Sequence, residues 1–237
     1  MGVYFRIYWA IFRLIMTKQE YERLSIDLQE LARIVPLNWG TIQNDRTDRQ
    51  INMFQIDSFA ELERQTANLS EDSKNYFRRR WFLWKCAQCE EYLFYVNENV
   101  TPNPNARDQD YDIEFNNDSQ LRFDVKGTVI PRDFRNNIDA VLDDPTDMVN
   151  FFYEQQSRGV RNKIQNRLFI VHHSFRDQQR EMYLRCHWAF KQPVYAEYSA
   201  RINTQSNFIQ FQDVRADVIF IFENIDRTIT YQFHSIN

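Results

Sequence analysis

Residues 111–129, YDIEFNNDSQLRFDVKGTV, narrow the choice of fold more than any other part of the chain. Apolar and acidic residues alternate in YDIEF. Tyr111, Ile113 and Phe115 therefore turn one way and Asp112 and Glu114 the other, the period-2 signature of a half-buried strand. NNDSQ is made of turn-forming residues. In the strand that follows, Phe123, Val125 and Val129 share one face, and Asp124, Lys126 and Thr128 share the opposite one. A hairpin that only closed a core has no use for carboxylates at these positions, with a lysine two residues after the last.

The segments around the hairpin supply helices on one side and strands on the other. SKNYFRRRWFLWKCAQCEEYLFYVNEN predicts a long helix capped by Ser70 or Ser73, with Phe82, Cys86, Cys89, Leu93 and Val96 as one apolar stripe. VTPNPNARDQD reads as the loop that ends it. Downstream, Pro145 starts a helix, PTDMVNFFYEQQSRG, with Gly159 as its C-terminal cap. RLFIVHH, EMYLRCHWAF, DVIFIFE and TITYQF read as four further strands. Upstream, Tyr21, Leu24, Ile26, Leu28, Leu31 and Ile34 give residues 17–35 an amphipathic helical pattern that Pro36 ends, and SFAELERQTANL predicts a short helix. This succession predicts an α/β fold, a mixed β-sheet flanked by helices. It divides into an N-terminal, mainly helical extension over residues 1–70 and a main domain over residues 71–237.

Composition excludes several function classes. A chain of 237 residues, 43% hydrophobic and 16% aromatic, is long and apolar enough to bury a substantial core. Its four glycines, Gly2, Gly40, Gly127 and Gly159, cannot be spaced as a phosphate-cradling or dinucleotide-binding loop. The net charge of −4 provides no global field for nucleic acid, so any such contact needs a local patch. Three cysteines make no disulfide framework and point to a reducing, cytoplasmic setting. The N-terminal MGVYFRIYWAIFRLIM is shorter than the roughly 20 apolar residues that span a bilayer. Arg6 and Arg13 interrupt it, and no small-residue cleavage site follows, so no membrane association is expected. Two readings of it stay open: a packing helix or strand, or an over-extended reading frame with Met16 as the start.

Asp112, Asp124 and Lys126 carry recognisable chemistry. Phosphodiester hydrolysis needs an activated water and positive charge at the phosphoryl oxygens. A Mg²⁺ ion held by a few carboxylate oxygens supplies both. A lysine beside it can orient the water and offset developing negative charge. Two or three carboxylates and one lysine on a shared rigid surface therefore suffice.

In this respect YDIEF…LRFDVKGT resembles the PD-(D/E)xK, or restriction-endonuclease-like, nuclease superfamily. Its pattern is an Asp at the start of a strand, then an acidic residue, an apolar residue and a lysine on the next. Asp112, Asp124, Val125 and Lys126 match in that order, and Tyr111 stands where the family often has proline. The resemblance spans about residues 75–175 and implies a restriction-endonuclease-like fold. It further implies a Mg²⁺- or Mn²⁺-dependent nuclease acting on nucleic acid, with DNA the expected substrate and a homodimer a state to test. By the same resemblance, Asp112 and Asp124 would ligate metal and Lys126 would position the water. A glutamate of the preceding helix, Glu90 or Glu91, would complete the site. Glu90 is the better placed, on the helix side shared by Leu83, Ala87 and Phe94. Gln156 would line the site and Arg161 contact a phosphate, although both also fit a polar helix end.

Other candidates compete with plainer explanations. Cys86 and Cys89 could join Cys186 or a histidine on zinc, but they fall on an apolar stripe where cysteine serves as a small hydrophobe. The pair His172–His173 could hold a general base or end a strand as satisfied histidines. FRRRWFLWK could grip a nucleic-acid backbone or be a helix with an aromatic face packed inward. At the level of the whole chain, the alternatives to a nuclease are a catalytically silent binding module on the same fold and a structural protein with solvated hairpin charges.

Overall fold

The long helix and the hairpin it precedes organise the structure, a computed structural model that describes residues 16–35, 50–105, 110–156 and 164–236. Helix α1 (Lys18–Leu31) starts at Thr17, whose side chain accepts from Glu20 N–H while Glu20 reaches back to the Thr17 backbone. Only Leu24, Leu28 and Leu31 of its expected stripe are buried. Ile26 and Ile34 lie off that line and face outward. Helix α2 (Phe59–Thr66) is followed by α3 (Glu71–Tyr95), and Ser70 is the cap, its Oγ accepting from Ser73 N–H at 3.3 Å. Phe82, Cys86, Cys89 and Leu93 are buried as expected, but Val96 is the C-cap residue and is exposed.

Among the described residues, seven strands form one mixed sheet. Strands β1 (Val100–Pro102), β2 (Ile113–Phe115) and β3 (Arg122–Val129) make an antiparallel meander. Parallel to β3 run β4 (Arg167–Ser174) and then β6 (Val214–Glu223). Strands β5 (Ile209–Phe211) and β7 (Ile229–Phe233) both pair antiparallel with β6, at its first and last residues respectively. Between β3 and β4 the chain forms α4 (Ile138–Asp143) and α5 (Thr146–Gln156). After β4 it forms α6 (Gln179–Arg185) and α7 (Trp188–Arg201).

These two helices replace the strand expected at EMYLRCHWAF. Glu181, Met182, Leu184 and Arg185 are buried together, a spacing of one, three and four that fits a helix and not alternation. The segment VTPNPNARDQD, expected as loop, contributes β1. Gly159, Pro36 and residues 1–15, singled out in the sequence, lie outside the described residues.

Hydrophobic cores cover both faces of the sheet. One contains Val125, Leu168, Ile170 and Ile219 with α3, and it also takes in Leu24, Leu28 and Leu62 of α1 and α2 and Trp188 and Tyr195 of α7. The other contains Phe169, Val171, Val218 and Phe220 with Met148, Phe152 and Tyr153 of α5. A central parallel strand covered on both sides is buried throughout, which is why its centre, LFIV at 168–171, reads as a continuous apolar run. No helix among the described residues is long and apolar enough to cross a membrane.

Candidate functional site

Hairpin register brings the two aspartates together. Asn116 and Asn117 take left-handed backbone at φ 57° and 52°, and a single 3-10 turn at Ser119–Leu121 completes the connection. Ile113 pairs with Phe123, so one step along the antiparallel ladder sets Asp112 opposite Asp124. The Asp112 backbone N–H donates to Phe123 O at 2.9 Å, and its Oδ2 accepts the Val125 backbone N–H at 2.9 Å. Two like charges facing across a ladder repel each other unless a cation lies between them. Lys126 provides that cation. Its Nζ hydrogen-bonds Asp124 Oδ1 and stands 3.9 Å from Asp112 Oδ2.

A second cation reaches Asp124 from the neighbouring strand. The parallel register pairs Asp124 with Arg167, whose Nε lies 3.6 Å from Asp124 Oδ2. The guanidinium is 4.8 Å from the centre of the Tyr153 ring, and Tyr153 in turn donates to Gln165 O at 2.9 Å. Asp124 and Arg167 are 4% and 3% exposed, whereas the Lys126 side chain retains 28%. Asp124 is thus the floor of the site and Lys126 its open side. Burial pushes the Asp124 carboxyl above its ordinary value; Lys126 opposes that shift and Asp112 reinforces it. Neither strand alone marks Arg167 as a neighbour of Asp124, because the β3–β4 register is a tertiary feature.

Glu90 does not join this group, which corrects the expectation that it ligates metal beside Asp112 and Asp124. It faces the sheet and is 1% exposed, yet it meets β3 from the other side. A Cβ built on Gly127 would lie 2.6 Å from Glu90 Oε2, and Gly127 points opposite to Lys126. Glu90 Oε1 accepts from Lys191 Nζ at 2.5 Å and from the Tyr195 hydroxyl at 3.4 Å. Lys191 also donates to Arg185 O at 2.7 Å, and Arg185 Nη1 donates to Gly127 O at 3.0 Å. Glu91, the next residue of α3, is buried on the same helix. Gln156 ends α5, its side chain outside the described residues, as is the whole of Arg161.

The remaining candidates resolve into packing. His172 is fully buried, with Nδ1 3.0 Å from Thr128 O, and His173 Nδ1 lies 3.2 Å from Glu181 Oε1. Glu181 also takes both terminal nitrogens of Arg135 at 2.7 Å. Cys86, Cys89 and Cys186 are free and buried. In FRRRWFLWK, Arg78 pairs with Glu63 of α2 at 2.5 Å, Trp81 donates to Ile56 O at 2.9 Å, and Lys85 lies 4.2 Å from the Trp84 ring centre. That stretch ties α3 to the segments before it.

Mg²⁺ is bound by one or two carboxylates, with water and substrate phosphate completing its octahedron. Asp112 and Asp124 supply that number, and they already share a cation, so the donor set fits such an ion. Among the described residues no third acidic, histidine or cysteine side chain joins them. Comparison with known proteins finds no matching family model, no similar curated protein and no similar solved structure.

Proposed function

We propose that the chain is a metal-dependent nuclease, with DNA as substrate, on a restriction-endonuclease-like sheet. The observation that carries this reading is the convergence of Asp112 and Asp124 on Lys126 within one hairpin. When bound, Mg²⁺ or Mn²⁺ would supply an acidified water and charge stabilisation at the phosphoryl group. Asp112 and Asp124 would hold the ion, with Asp112 fixed by its bond to the Val125 N–H. Lys126 would orient the attacking water and offset negative charge on the phosphoryl oxygens. Glu90 has no part in this scheme. Its carboxylate belongs to the network behind β3.

The test is cutting of plasmid and single-stranded DNA with Mg²⁺ or Mn²⁺ by the intact protein, Asp124→Ala and Lys126→Ala. Metal-dependent cutting that falls by about a hundredfold or more in both variants supports the reading. No cutting and no calorimetric metal binding by the intact protein would replace it with a silent nucleic-acid- or protein-binding module. Turnover separates the two, since a nuclease cuts its substrate and a module only binds.

A further inference from the structure

Lys126 stands where oxygen donors converge. Its Nζ faces three oxygens at once: Asp124 Oδ1, Asp112 Oδ2 at 3.9 Å and the Val125 carbonyl oxygen at 3.3 Å. Two carboxylates and a carbonyl are the donors a hard divalent cation takes. On the far side of Asp124 stands Arg167, buried, its Nε 3.6 Å from Asp124 Oδ2. Among the described residues, two carboxylates thus face two cations.

Resting on the nuclease reading, we infer that Lys126 is the resident counter-ion of the metal locus, and that a divalent cation must displace it. Ammonium and metal compete for the same oxygens. A metal added where Lys126 and Arg167 already stand raises the positive charge over a buried floor, and a phosphodiester offsets that charge. The displaced Lys126 then has a phosphate oxygen to meet. Metal and nucleic acid therefore bind together, each strengthening the other by the same factor. The free protein holds metal weakly.

The test is calorimetric titration of Mn²⁺, without nucleic acid, into the intact protein, Lys126→Met, Lys126→Arg and Asp124→Asn. Removing a unit positive charge a few ångströms from a dication should tighten binding by about tenfold or more in Lys126→Met. Lys126→Arg keeps the charge and should stay within about threefold of the intact protein. Asp124→Asn should lose binding. Circular dichroism checks each fold, and Lys126→Gln makes the same comparison should the methionine variant not fold. Equal or weaker binding in the neutral variant overturns the counter-ion role and leaves the nuclease reading in place. If no protein in the series binds Mn²⁺ and the intact one does not cut, the nuclease reading fails and takes the inference with it.

Discussion

Glu90 Oε2 lies 2.6 Å from the point where a Cβ on Gly127 would stand. The closeness makes Gly127 a packing requirement, for it lets a buried carboxylate sit directly under the strand that carries Asp124 and Lys126. Arg185 Nη1, 3.2 Å from the same point, closes the space on another side. Gly127→Ala should therefore cost about 1–3 kcal/mol, as an overpacked core does. Urea unfolding measures it; a midpoint equal to that of the intact protein would show that Glu90 simply swings aside.

Lys191 and Glu90 form a fully buried ion pair at 2.5 Å. Breaking such a pair from one side strands a charge, at a cost of about 3–5 kcal/mol. Lys191→Met should lose that much in chemical denaturation. The double variant Lys191→Met/Glu90→Gln should recover a large part of it, and failure to recover would assign the loss to packing around Trp188, whose ring centre is 5.1 Å from Nζ.

Acid sensitivity should begin at His172. Its burial holds the imidazole well below the ordinary value of 6.5, with Lys191 and Arg185 adding to the effect. In the unfolded chain the same side chain takes a proton as pH falls through about 6.5, while the folded chain does not. Protons therefore favour unfolding, and stability present above that pH is lost below it at about 1.4 kcal/mol per pH unit. Unfolding free energies measured between pH 7 and 5 should show this slope, and His172→Gln should flatten it. An unchanged slope in the variant would move the origin to another group.

The three thiols should be inert in the folded protein. Cys86, Cys89 and Cys186 are buried, and burial pushes the Cys86 and Cys89 thiols above their ordinary value, which suppresses the reactive thiolate. A chromogenic disulfide reagent should titrate none of them before denaturant is added and all three afterwards. Fast reaction of Cys86 or Cys89 under native conditions would reopen the question of a metal or redox role.

Local patterning carried a large share of the fold. The period-2 alternation of YDIEF and the spacing of Asp124 and Lys126 assign faces without any tertiary information, because residues two apart in a strand point the same way. The stripe through Phe82, Cys86, Cys89 and Leu93 and the continuous apolar run of β4 are legible for the same reason. EMYLRCHWAF was not, since short apolar runs satisfy a strand and a buried helix alike until their neighbours are known.

By itself, then, the sequence determined that Asp112 and the pair Asp124 and Lys126 lie on the polar faces of two successive strands, and the hairpin register decided that they meet. Which residues stand around them was decided by the tertiary structure. The parallel pairing of β3 with β4 set Arg167 beside Asp124, and the packing of α3 on the Val125 face carried Glu90 away from the aspartates to Lys191 and Gly127. Those choices depend on how whole elements dock, and a carboxylate on a helix carries no mark of which side of a strand it will reach.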